Sequence, residues 1–426
     1  MISKKSTAAY TEAYVWVWLL GATEPVVAGL LSQQAQSLVF NYGQSYLARP
    51  DAIALYAPEL PLQPGHIPLV KGLNMPGCLR DASPDAWGRR VLLHQRVTQT
   101  PAAVAPGELD ELSYLLESGS DRIGALDFQQ AATHYVPRLA PPATLSALLS
   151  AAECVEQGIS LPPTLNLALL AGTALGGARP KVTLDDGQRK LIAKFSLSSD
   201  LYSLVKAEFI AMQLAKLAGL DVAAVELCNV MGKDILLIER FDRVRQQEQW
   251  CRRAMVSGLT LFELDEMMAA YASYEDLANI IRHRFTHPKA TLRELFARMV
   301  FNVLCGNTDD HARNHAAFWD GQQLTLTPAY DICPQARLGQ QAGQAMLIHE
   351  RNRSSQIVVC VAAAATFLLS TEAAIAIVNQ QIHVINTHWH SVCDSAKLSI
   401  VEREFLWHRH FLNPFVFIDA PVGVMR

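Results

Sequence analysis

The chain has 426 residues, half of them apolar, and a formal net charge of −4 at pH 7. That length holds two or three domains with large cores, and the near-neutral balance excludes a broad nucleic-acid footprint or a polybasic membrane-binding run. The eight cysteines stand singly with no CxxC pair, the pattern of reduced core thiols in a cytoplasmic protein.

Residues 14–20 are aromatic and β-branched, and with 26–31 and 37–42 they predict a β-meander. The first run is too short to span a membrane and meets Glu24 at once. The apolar run 357–369 is also too short, and Ser370-Thr371-Glu372 after it predicts a helix start, so no membrane segment is expected. A Pro-rich loop fills 58–68, and then Ser83 and Pro84 open a helix through Asp85-Ala86-Trp87-Gly88-Arg89-Arg90. Residues 99–107 read as a loop, and the prolines of 136–143 mark a boundary. Helices are predicted over 145–157 and 164–171. Asp185-Asp186-Gly187 between alternating runs predicts a hairpin from about 181 to 195. A helix over 205–217 ends at Gly219, strands follow at 224–230 and 234–239, and from 255 onward the pattern is mostly helical. A β-rich half followed by a helical half predicts an α+β protein of two lobes with a cleft between them. The expected segments are 1–135, 136–243 and 244–426.

The stretch Asn307-Thr308-Asp309-Asp310-His311-Ala312-Arg313-Asn314, followed by Tyr330-Asp331, carries the most chemistry. Asp309 and Asn314 stand at the Asp-x4-Asn spacing of a kinase catalytic loop, where the aspartate accepts a hydroxyl proton and the asparagine holds a metal. Asp331 ends a strand-like run, 324–330, as a second acidic ligand. Magnesium takes hard oxygen donors, usually one or two carboxylates, with phosphates supplying the rest. Aspartate and asparagine also crowd ordinary turns because they bond their own backbone, so the spacing alone does not separate the two readings.

Upstream features follow the same order. Gly176, Gly177, Ala178, Arg179 and Lys181 form a basic, glycine-rich stretch whose backbone N–H groups can converge on an anion. It lacks the Gly-Lys-Ser/Thr of a Walker loop, and a plain Gly-Gly turn would look alike. Lys194 on the second hairpin strand reads either as a solvated-face residue or as a phosphate-binding strand lysine, with Glu208 on the next helix as its partner. Glu239, Arg240, Phe241 and Asp242 lie where a hinge would fall. Backbone there can meet an adenine edge, Phe241 can pack on the ring, and Asp242 can accept from ribose hydroxyls; a surface turn is the alternative. His383, His388 and His390 have no Cys or carboxylate to complete a metal set. His311 and His315 are one helical turn apart without an HExxH pattern, and His311 reads as a catalytic-loop residue.

In this order, Gly-Gly-Ala-Arg-Pro-Lys, strand Lys194, Glu-Arg-Phe-Asp-Arg, Asn-Thr-Asp-Asp-His-Ala-Arg-Asn-His and Leu-Thr-Pro-Ala-Tyr-Asp resemble the HipA-like serine/threonine kinases, the toxin halves of bacterial toxin–antitoxin pairs. Phe40-Asn41-Tyr42, Tyr46-Leu47 and the segment 84–90 resemble the small β-rich domain that opens such chains. Residues 100–160 and 340–426 bear the fewest motifs. The resemblance implies a bilobal protein-kinase-like fold, with a β-rich N-lobe, a helical C-lobe and a small N-terminal β-rich subdomain. It implies Asp309 as catalytic base, with Asp310 one residue away as the competing candidate. Asn314 and Asp331 would hold Mg2+, Lys194 would bind the ATP phosphates, and residues 176–181 would form the phosphate-side loop. Glu239, Arg240 and Phe241 would form the adenine-side hinge, and His311 and Tyr330 complete the cofactor-side set. HipA-like kinases often carry a serine before Gly-Gly-Ala whose autophosphorylation expels the loop. Here the only hydroxyl is Thr173, with Ala174 nearer the glycines. Thr173 is therefore the candidate acceptor, and control by another route is the expectation.

The leading expectation is an ATP- and Mg2+-dependent cytoplasmic kinase acting on a protein hydroxyl. The resemblance implies a translation-related target, such as an aminoacyl-tRNA synthetase, and a helix-turn-helix antitoxin through which any DNA contact would be indirect. A small-molecule or lipid-headgroup kinase would use the same residues. A non-catalytic binding module would have no chemical reason to keep Lys194, Asp309, Asn314 and Asp331 together.

Overall fold

A computed structural model describes residues 10–99, 109–197, 200, 202–337, 339 and 341–425. The chain divides into two compact units, Met1–Phe195 with Asp242–Met255, and Ser196–Phe241 with Val256–Arg426. This partition cuts the chain at other points than the three expected segments, because the hairpin of strands Arg243–Gln246 and Gln249–Arg252 goes with the first unit. The loop expected over 99–107 falls largely outside the described residues.

In the first unit the expected meander forms as antiparallel strands Glu12–Val17, Val26–Gln34 and Ser37–Tyr42, and Leu126–Gln129 adds a fourth strand beside the first. Val15, Val17, Leu31 and Phe40 are buried, and so are Trp16 and Val39 on the alternate positions of their strands, so this part of the sheet is covered on both faces. Gly29 sits at the register shift between Val15 and Trp16, and a Cβ there would collide with the Asn41 carbonyl. The helix Leu145–Gln157 runs from a Thr144 cap to Gly158 in the left-handed region, φ 68°. The Asp-Gly hairpin pairs Lys181–Asp185 with Lys190–Phe195, placing Lys181 opposite Lys194. Gly187 N–H donates to Asp185 Oδ1 at 2.9 Å and closes the turn.

A buried ionic network also holds this unit. Arg122 and Asp127, both fully buried, pair at 2.8 Å, and Arg138 reaches the same carboxylate at 2.9 Å. Arg243 donates to Asp121 at 2.9 Å and to the Gly124 carbonyl at 3.0 Å, and the Arg252 guanidinium lies 3.5 Å from the Trp18 ring centroid. Buried charges are tolerated only when so completely paired. These contacts explain why residues 242–255 belong with the first unit.

The second unit is built on the helix Pro288–Cys305. Its C-terminal half, from Leu295, is apolar nearly all round, with Phe296, Met299, Phe301 and Leu304 fully buried, as expected of a central core helix. Helices Tyr274–Arg284 and Thr371–Ser395 pack on it. The latter starts at the expected Ser370 cap, whose Oγ accepts from Ala373 N–H at 3.2 Å. The unit also holds the helix Leu204–Leu217 and the antiparallel pairs Val225–Val230/Lys233–Glu239 and Ala316–Trp319/Leu324–Leu326. No helix among the described residues is long and apolar enough to cross a membrane.

Candidate active site

The central helix ends at Gly306, φ 76°, where a Cβ would press on the His410 backbone. That left-handed cap turns the chain into the loop 307–315. Asn307 N–H returns to the Asn302 carbonyl at 2.9 Å, and Gln335 N–H binds the Gly306 carbonyl at 3.0 Å. The loop then closes on itself. The Asp309 carbonyl accepts from His311 N–H at 2.8 Å and from the Asn314 side-chain amide at 3.1 Å, and Asn314 N–H returns to the His311 carbonyl at 2.8 Å. The five-residue spacing thus makes one closed turn, with Asn314 Nδ2 committed to the backbone and its side-chain oxygen as the remaining acceptor.

The two neighbouring aspartates have different surroundings. Asp310 is 3% exposed, accepts from the Tyr274 hydroxyl, and has His315 Nε2 at 3.1 Å. It pins the loop to the helix Tyr274–Arg284. Asp309 is exposed to solvent. Even so, enough protein surrounds its carboxyl that desolvation raises its pKa above the ordinary value; His311 opposes that shift and the Asp331 carboxylate adds to it.

Asp331 is delivered from the other side of the site. Ala329 is fixed to the 221–223 segment by bonds of 2.8 and 2.9 Å, and Tyr330 donates its hydroxyl to the Arg313 carbonyl at 2.7 Å. Asp331 then takes a left-handed backbone, φ 59°, a conformation aspartate tolerates better than most residues. The Phe241 ring lies 5.7 Å from Tyr330 and 5.9 Å from Phe318, so Phe241 belongs to the same aromatic group as the residue before Asp331. Glu239 is exposed and Arg240 buried. Asp242, read from sequence as a ribose acceptor, is 2% exposed; its Oδ2 accepts from Gly124 N–H and Arg243, each at 2.8 Å. That carboxylate serves the buried network of the first unit.

Lys194 and the glycine-rich stretch lie in the first unit. Lys194 is 7% exposed, so it is not a solvated-face lysine, and Glu208, in the second unit, is 4% exposed rather than water-facing. Gly176 and Ala178 are exposed at the tip of the stretch, with Gly177 between them at φ 94° and Arg179 half-buried. Lys181 Nζ donates to the Gly176 carbonyl at 2.5 Å. Thr173 is fully buried, accepting from Gly119 N–H at 2.9 Å and donating to the Leu170 carbonyl at 3.0 Å. Its phosphorylation would require that turn to open. Tyr274 carries no motif, and His315 ends the stretch Asn307–His315 without any sign of its contact with Asp310, so their support of the loop could not be found from sequence. Asp85 and Trp87, read above as part of a helix start and for their likeness to a domain, turn out to contact the glycine-rich stretch.

Residues 173–389 match the model of the HipA-like C-terminal domain, and residues 18–129 match that of the HipA N-terminal domain. The chain is 27% identical over 243 residues to the serine/threonine-protein kinase toxin HipA of Shewanella oneidensis, covering 50% of this chain and 54% of that one. It is 28% identical over 188 residues to Y4mE of Sinorhizobium fredii, covering 38% and 44%. It thus spans about half the length of these curated relatives. A chain from the solved complex of Shewanella oneidensis HipA, HipB and operator DNA shares the fold, with a TM-score of 0.65 at 19% identity over 96% of this chain and all of that one. The α+β, kinase-like fold expected from the sequence is the fold found, and the chain belongs to the HipA family.

Proposed function

We propose that this HipA-family chain is an ATP- and Mg2+-dependent serine/threonine protein kinase, with Asp309 as its base. The observation that carries this is the division between two adjacent aspartates. Asp310 is buried and spent on holding the loop, while Asp309 reaches solvent with its proton affinity raised toward that of a useful acceptor. The donor set also fits magnesium. Asp331 supplies a carboxylate, Asn314 an amide oxygen, and the Asp309–Asp331 repulsion is the kind a divalent cation relieves. When bound, the ion would neutralise charge on the phosphates.

The chain's own residues do the rest. Asp309 orients a serine or threonine hydroxyl and takes its proton as the hydroxyl oxygen bonds to the γ-phosphorus, the β–γ bridging P–O bond breaks, and ADP leaves. The Lys194 ammonium offsets phosphate charge, Phe241 packs on the base, and the 239–241 backbone meets the adenine edge. The family membership supports a toxin role with a helix-turn-helix antitoxin as partner, DNA reached through that partner, and a translation-related protein as target.

Thermal unfolding of the whole chain with and without Mg-ATP tests this. Ligand at about 100 times its dissociation constant stabilises by about 2.7 kcal/mol, a shift of a few degrees. The shift should require magnesium and vanish in Asp331→Asn, and labelled phosphate should then appear on protein serine or threonine. No shift at millimolar Mg-ATP would overturn the reading, and label confined to small molecules would move the substrate class.

A further inference from the structure

Glycine-rich turns have more conformational freedom than other sequences, so a loop that must meet phosphates needs supports from outside itself. In this chain the supports come from the N-terminal segment, at three points. At the front, Gly119 N–H holds Thr173 Oγ1, and the helix Ala86–Gln99 passes so close that a Cβ on Gly88 would collide with the Thr173 carbonyl. At the centre, 92 residues away in sequence, Asp85 Oδ2 accepts from Gly177 N–H at 2.8 Å, and Trp87 N–H donates to the Gly177 carbonyl at 3.3 Å. At the back, the Trp87 indole N–H donates to the Lys181 carbonyl at 3.1 Å, and a Cβ on Gly172 would collide with that same carbonyl. Trp87 itself is 1% exposed.

We infer that Asp85 is a positioning residue for the 176–181 loop, and that the segment 84–90 sets the loop's shape. The inference rests on the nucleotide reading of that loop. A carboxylate accepting from a backbone amide makes a bond about twice as strong as a neutral one, and here it fixes a glycine in the left-handed region. A carboxylate could instead occupy an amide that a phosphate would otherwise use. The positions favour support: the bond is one of several that fix both ends and the middle of one loop, and those from Trp87 and Gly119 carry no negative charge.

The two roles predict opposite signs for one substitution. The whole chain, its Asp85→Ala variant and its Asp85→Asn variant would be compared by hydrogen exchange without nucleotide and by calorimetric titration with Mg-ATP. Support predicts that amides of 174–180 exchange faster in Asp85→Ala while the sheet around Glu12–Val17 stays protected. It also predicts a Kd for Mg-ATP about tenfold higher, with most of the loss recovered in Asp85→Asn, which keeps an acceptor oxygen. Tighter Mg-ATP binding in Asp85→Ala, or unchanged loop exchange, would overturn the inference. Should the parent not bind Mg-ATP, the nucleotide reading fails, and the exchange comparison still decides whether Asp85 holds the loop. Should Asp85→Ala not fold, Asp85→Glu, whose longer arm misplaces the carboxylate, decides by the same exchange measurement.

Discussion

The loop 307–315 and the stretch 172–181 are both sharp turns to which we assign chemistry, yet they are held in different ways. The first closes with its own atoms, Asn314 on the Asp309 carbonyl, and is pinned from Asp310 to Tyr274. The second has its outside ties from Gly119, Asp85 and Trp87, far away in sequence. A turn that closes on its own atoms depends less on remote segments for its shape. A turn held from outside inherits its shape from another segment, and can lose it when that segment is disturbed.

Substitutions can sharpen or erase that contrast. The largest effect should come at the self-closed loop: Asp309→Asn is expected to lower phosphotransfer kcat by roughly 10²–10⁴ with little change in the unfolding midpoint. Asp310→Ala should act the other way, costing about 1–3 kcal/mol in denaturant unfolding by leaving buried partners unsatisfied. Equal losses of stability in both would erase the difference between the two aspartates. Next come two matched glycines. A Cβ on Gly258 would collide with the Ala312 carbonyl, and one on Gly88 with the Thr173 carbonyl. Each alanine variant should cost about 1–3 kcal/mol, with exchange loosened around 309–315 in Gly258→Ala and around 172–181 in Gly88→Ala. A smaller effect, about 0.5–1.5 kcal/mol, is expected for Tyr330→Phe, which removes the bond to the Arg313 carbonyl.

The smallest effect is a matter of direction. The Asp309 pKa is raised, so the base is lost to protonation at a higher pH than for an ordinary aspartate near 4, and activity should fall off early on the acid side. Asp331→Asn removes a neighbouring negative charge, so the Asp309 carboxyl, followed by NMR in nucleotide-free protein, should titrate at lower pH than in the parent. An unchanged titration would mean that the two carboxylates do not sense each other.

The same contrast explains what could be read from the sequence. The 181–195 hairpin was legible because Asp-Gly turn chemistry is local. The Asp309–Asn314 spacing marked a loop, and the structure closes that loop between partners five residues apart. The Ser370 cap and the left-handed Gly219 were legible for the same reason. Most of the illegible features have remote partners. Asp242 looked like a ribose acceptor because its neighbours, Arg240 and Phe241, have hinge character, yet its carboxylate binds an amide 118 residues earlier. The burial of Lys194 and Glu208 is set by packing, which a polar letter in a sequence does not reveal. Tyr274 gave no sign of its hydrogen bond to Asp310, because a tyrosine after a serine cap reads only as a helix start.

The assignment of the hairpin Arg243–Arg252 to the first unit bears on how the protein is made. The main segment of that unit ends at Phe195, but Arg243 and Arg252, which complete its ionic network, leave the ribosome much later. At ordinary synthesis rates of roughly 5–20 residues per second, the intervening stretch takes several seconds to emerge. Through that interval the Asp121 carboxylate and the Gly124 carbonyl await their arginine, and the Trp18 face awaits its cation. Folding of this N-terminal unit is therefore not N-terminal in time. A nascent chain halted before residue 243 should remain protease-sensitive across 118–138, and one halted after the hairpin has emerged should not.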